Sequence, residues 1–219
     1  MTSKPRSRRS AESAPSTSSE SPHGNLRESL IIAGIELLEA HGPEGLTLRR
    51  AAARVGVSHA APAHHFDGLP GLLTAIAARA FALFIEAMES NRNAADPEPL
   101  AQLAALCSGY LDFAERHGGL FHVMFNNPDV NRADPELRVL SARAFDVLRE
   151  GCRPFATDDT PDRALEIAVW TMTHGFAALH LRGSTAHTPE GLPPPPFETL
   201  LQRLADAAGK PLAPAARLR

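Results

Sequence analysis

Three histidines, His59, His64 and His65, fall within seven residues of one another, and two prolines stand nearby in "VGVSHAAPAHHFDGLPGLL" (55–73). Imidazoles this dense raise metal binding first. Their spacing does not set two rings at i and i+4, and neither Cys nor paired carboxylates stand beside them, so no metal site is expected. A second group is Trp170 and His174, four apart and therefore on one helix face. That pair is either core or the wall of a pocket. Cys107 and Cys152 have no metal-ligand spacing and imply no disulfide framework. Cys107 falls on an apolar helical stripe and reads as a buried, inert thiol. There is no nucleophile–base constellation and no phosphate loop, so neither an enzyme nor a cofactor is expected.

The elements that hold these residues are helical. Ala is abundant and aromatics make up only 5% of the 219 residues, which favours close-packed helices. No stretch alternates with period two long enough for a sheet, and the fold class is all-α. Residues 1–24, Ser- and Pro-rich with "KPRSRR", read as a disordered tail. Asn25 opens a helix, with Glu28 placed as a capping-box partner. Ile31, Gly34, Ile35 and Leu38 form its apolar face, widened by Leu30, Ala33 and Leu37. Thr47 caps a short second helix that ends at Gly56. Ser58 caps a short third helix that closes at Phe66. Pro62 then stands at its fourth position, where the missing amide costs little. Longer helices follow at 71–93, 97–117, 135–151, 161–183 and 197–208. The apolar "GGLFHVMF" lies between the second and third of these, and "GLPPPPF" is a stiff link before the last. No apolar run is expected to span a membrane, and the N-terminus lacks a signal-peptide core, so a cytoplasmic location is expected.

Two short helices joined by a tight Gly turn are a helix-turn-helix signature. Its second helix must leave a face free for the major groove. Val57 and Phe66 can anchor that helix, leaving Ser58, His59, Ala60, Ala63 and His64 outward. Thr47, the free amides behind it, Arg49, Arg50 and Arg54 can meet phosphates. The net charge of −3 gives no global basic field, so DNA affinity must come from this local cluster.

"RESLIIAGIELLEAHGPEGLTLRRAAARVGVSHAAPAHHF" resembles the DNA-binding region of TetR-family transcriptional regulators. The resemblance implies a homodimer that binds a double-stranded operator through a head at 25–70. A domain at 71–219 would bind a small-molecule effector and dimerise. His65 and Thr47 match the family's phosphate-contact positions, and Arg49 its basic one. Ala63 stands where the family usually has Tyr, and Leu69 where it has Lys, so two usual DNA contacts are absent. "GGLFHVMF" and "WTMTHGFAAL" are similar to a subgroup with a Trp…His-Gly signature, here Trp170, His174 and Gly175. The expected function is a repressor released by its effector. An architectural DNA-binding protein and a helical-bundle enzyme are the alternatives. Phe84, Met88, Tyr110, Phe113, Phe121, Met124, Phe125, Trp170 and His174 are the expected ligand contacts, with His174 as polar handle and Tyr110 second. Few fixed charges stand among them, so the effector should be small and mainly apolar, with one hydrogen-bonding group. Leu200, Leu201 and Leu204 form a stripe expected at the dimer interface.

Overall fold

The computed structural model describes residues 22–156, 163–181 and 195–207. Among them are eight α-helices and no strand: α1 (Pro22–His41), α2 (Leu48–Val55), α3 (Gly68–Ala94), α4 (Pro99–Arg116), α5 (Gly118–Phe125), α6 (Pro135–Cys152), α7 (Arg163–Leu181) and α8 (Phe197–Ala207). The expected tail before 22 and most of the "GLPPPPF" link lie outside the described residues.

The wide stripe of α1 is buried as its spacing demands: Leu30, Ile31, Ala33, Leu37 and Leu38 are all inside. The start of α1 differs from the sequence reading. The helix begins at Pro22, since proline is tolerated in a first turn whose amides have no intrahelical partner. Glu28 therefore sits mid-helix and caps nothing. Its carboxylate instead pairs with the Arg79 guanidinium of α3 at 2.6 Å, tying the two helices together.

The long helix α3 is the axis. It packs on α4, α5 and α6, and its Leu72, Ile76, Phe81, Phe84 and Met88 belong to one continuous core shared with α1 and the body helices. A Cβ on Gly109 of α4 would lie 2.5 Å from the Ala87 carbonyl oxygen, so only glycine allows this approach of α4 to α3. By length and hydropathy alone α3 could cross a membrane, against the sequence expectation. The apolarity has another cause: 56% of its most apolar window is buried inside the bundle.

The third helix of the head also differs. No α-helix runs from Ser58 to Phe66. A 3₁₀ turn covers Ala61–His64 instead. The amide that would donate from residue 62 to the Ser58 carbonyl does not exist, because residue 62 is proline. Ala61 donates to that carbonyl at 3.0 Å, Ala63 donates to Ala60 at 3.2 Å and His65 to Pro62 at 3.0 Å. These i→i+3 bonds wind the segment tightly. Pro62 is buried, so it faces the core as its apolar ring allows.

The candidate nucleic-acid interface and the body cavity

The head is built around a Gly turn. Gly56 adopts φ +79° and ends α2, where its amide and that of Val57 close on the Ala52 carbonyl. A side chain at this left-handed position would be strained. Thr47 caps the other end of α2, its Oγ1 accepting the Arg50 amide at 3.1 Å. This leaves further first-turn amides for an anion. Arg49 and Arg50 are exposed and make no ion pair among the described residues. Arg54 is different: it pairs with Glu36 of α1, and its charge is spent inside the head. Ser58, His59, Ala60, Ala63 and His64 are all exposed, whereas His65 is half-buried against the Phe66 side. Phe66 is buried, with the Arg27 guanidinium 5.7 Å above its ring. Leu69, where a lysine was missed, is half-buried.

The body holds a cavity of about 200 Å³. Phe81, Phe84 and Met88 of α3, Tyr110 of α4 and Phe125 of α5 form its inner wall. Ser141, Ala144, Phe145 and Leu148 of α6 form the opposite wall, and Trp170 of α7 stands at its rim, 37% exposed. Five of the nine expected ligand contacts thus line it: Phe84, Met88, Tyr110, Phe125 and Trp170. The other four stand one layer behind. Phe113 packs edge-on to Phe84 at 5.2 Å, Phe121 stacks on His174 at 5.4 Å, and Met124 is wholly buried. His174 itself lies among Phe121, Phe125 and Trp170, with Nδ1 2.7 Å from the Tyr110 hydroxyl.

Burial holds His174 below its ordinary value and pushes the Tyr110 phenol well above its own. Both groups are therefore neutral near pH 7. A neutral imidazole has one acceptor nitrogen and one donor nitrogen. When the phenol donates to Nδ1, the ring proton resides on Nε2. The Cys107 thiol is fully buried and pushed up to about 12 by that burial, with the Thr173 hydroxyl donating toward its Sγ at 3.6 Å. The thiol is thus buried, as its place on the apolar stripe implies. Among the described residues no cluster of His, Cys, Asp or Glu is placed to hold a metal ion.

The α6 wall was missed. Leu137, Ser141, Ala144 and Leu148 recur at helical spacing, so the stripe was visible in sequence. Ser and Ala carry too little bulk to stand out as a ligand wall. Phe81 was equally visible, one turn before Phe84.

Residues 103–208 match the family model of the tetracyclin repressor-like C-terminal domain. No curated protein matches the chain. Among solved structures, the chain is similar to a protein of unknown function from Rhodococcus sp. RHA1. Identity is 27% and the TM-score 0.66, over 86% of this chain and 96% of that one. A TetR family transcription regulator from Marinobacter aquaeolei VT8 shares the fold with a TM-score of 0.56 at 16% identity, over 84% and 95% of the chains. The multidrug binding protein EbrR, solved in complex with imidazole, does so with a TM-score of 0.55 at 22% identity, over 87% and 97%. Residues 103–208 thus form a tetracyclin repressor-like C-terminal domain, and the chain has the fold of the solved TetR family regulators.

Proposed function

We propose that the chain is a homodimeric, ligand-responsive DNA-binding regulator, a repressor that leaves its operator when a small effector enters the body cavity. The observation that carries this reading is the apolar cavity of about 200 Å³ in the body of a chain whose head exposes α2 and the 3₁₀ segment after its Gly56 turn. Thr47, Arg49 and Arg50, with His65 at its edge, serve as phosphate contacts. Ser58, His59, Ala60, Ala63 and His64 face the bases. The head at 25–70 and the effector and dimerisation domain at 71–219 remain the proposed division, although α1 starts at Pro22 and α3 runs through the second boundary.

The cavity walls are almost wholly Phe, Met, Leu, Ala and Trp, so a charged ligand would lose hydration without repayment. A hydrocarbon-lined cavity of roughly 150 Å³ holds a benzene ring. The effector is thus a neutral molecule of one or two small rings with a polar group near Tyr110 and His174. EbrR, with the same fold, was solved with a small heteroaromatic bound, which fits this size class. Membership in the Trp-His-Gly subgroup belongs to the same proposal, supported by the Trp170 ring at the cavity rim with the His174 ring centred 5.9 Å behind it.

The dimer would form through α7 and α8. Ile167 and Leu179 of α7 are 43% and 54% exposed, and Gly175 has open space above it. Leu200 is half-buried and outside the core, whereas Leu201 fills the chain's own core and Leu204 packs against it. The architectural alternative needs a body filled by its own side chains, and the cavity argues against it. The deciding experiment combines fluorescence anisotropy on duplexes selected from a random pool with thermal stabilisation by a panel of small aromatic compounds. A compound that raises the melting temperature and releases the duplex supports the reading. Tight duplex binding unaffected by any stabilising compound would return the architectural one.

A further inference from the structure

The segment that follows the Gly56 turn carries no side chain able to hold a base edge with two hydrogen bonds. Ser58, His59, Ala60, Ala61, Pro62, Ala63, His64 and His65 include no Arg, Lys, Asn or Gln. Two-pronged contacts to guanine come from Arg or Lys, and those to adenine from Asn or Gln. Neither is available on this segment, so another kind of readout must supply base preference.

The winding of the segment decides which atoms face outward. In a 3₁₀ turn, side chains three positions apart eclipse one another. Pro62 is buried and His65 half-buried, so that edge is turned to the core. Ala60 and Ala63, also three apart and joined by the 3.2 Å backbone bond, are both exposed. Their methyl groups therefore form one outward ridge, flanked by the exposed His59 and His64. Pro62 fixes its own φ and Phe66 anchors the segment in the core, so the ridge is held rather than adaptable. Short side chains also let the backbone approach the groove floor more closely than Arg or Gln would.

We propose that each operator half-site is read through thymine 5-methyl groups packed against the Cβ atoms of Ala60 and Ala63. This rests on the DNA-binding reading above. Apolar contact with the thymine methyl is the readout that alanine offers in a major groove. His59 and His64 add single hydrogen bonds on either side.

The test uses the full chain and duplexes enriched from a random pool. In the enriched site each thymine is replaced in turn by deoxyuridine, which removes the 5-methyl and nothing else. One or two thymines per half-site should then lose affinity by about fourfold each, the worth of one buried methyl. At the same positions a 5-methylcytosine·guanine pair should bind more tightly than cytosine·guanine by a similar factor. Ala63→Gly should lose about the same on the thymine duplex and little more on the deoxyuridine duplex. The oligonucleotide arms need no protein variant and stand even where Ala63→Gly disturbs the turn. If no thymine in an enriched site responds to loss of its methyl, the proposal is overturned while the DNA-binding reading stands. If the pool yields no enriched sequence, the DNA-binding reading falls and the methyl readout with it.

Discussion

The Tyr110 hydroxyl of α4 lies 2.7 Å from Nδ1 of His174 of α7, joining the two helices at the back of the cavity. Tyr110→Phe keeps the ring contacts with Phe84 and Phe121 and deletes only the oxygen. It should cost about 1–3 kcal/mol, because the partly buried imidazole loses its partner. Chemical denaturation measures this. An unchanged midpoint would mean that the bond adds nothing to the fold.

The same pair sets a pH dependence. His174 titrates below its ordinary value of 6.5 in the folded chain because burial disfavours the imidazolium. The unfolded chain therefore binds more protons as pH falls through that ordinary value, and stability declines on acidification from there until the folded group also titrates. His174→Gln should flatten that decline. Urea titrations at pH 7.5 and 5.5 for both proteins give the comparison, and equal acid sensitivity would remove His174 as its source.

Filling the cavity from the α6 wall should abolish the ligand response and spare DNA binding. Ala144 is buried at that wall, far in sequence from the head. Ala144→Leu should leave duplex affinity within about twofold and remove the thermal stabilisation produced by indole as a probe, if indole stabilises the parent chain. Full stabilisation in the variant would show that the compound binds elsewhere.

The cation roles proposed for the head can be told apart by mutation. Arg49→Ala should weaken binding to all duplexes alike and lower the slope of log affinity against log salt by about 1. Arg54→Ala should change that slope far less, because Glu36 already holds its charge. Thr47→Ala should remove the α2 cap at a cost of about 1 kcal/mol. A larger salt effect at Arg54 than at Arg49 would reverse these assignments.

Charge placed on the exposed face of α7 should dissolve the proposed dimer. Ile167→Asp combined with Leu179→Asp should give a monomer by light scattering at micromolar concentration, with helix content unchanged by circular dichroism. A dimer that persists would place the interface elsewhere.

Some of this was legible in the residues. The face of α1 follows from period 3.6, and Leu30, Ile31 and Leu38 are buried as that period requires. The winding of the segment after Gly56 was not legible in the same way. Apolar spacing over eight residues does not separate i→i+3 from i→i+4 bonding, and one missing amide at Pro62 tips the choice. The cavity was half legible for a different reason. Large aromatics such as Phe84 and Trp170 announce themselves, but a void is made by what is small. Ser141 and Ala144 leave room on α6, and nothing in a single sequence marks a small residue as the one that leaves a hole. His174 shows the converse: its type signalled a polar handle, yet its nearest partner is Tyr110.

Gly109 against the Ala87 carbonyl has a mechanical consequence. Two helices that touch backbone to backbone at one glycine have a single permitted register. Sliding α4 along α3 by a turn in either direction would bring Ala105 or Leu106, or Asp112 or Phe113, toward that carbonyl, where no side chain fits. The pair therefore behaves as one stiff beam. Any widening of the cavity must therefore come from α5, α6 and α7, whose residues also line it, and not from α4 sliding along α3.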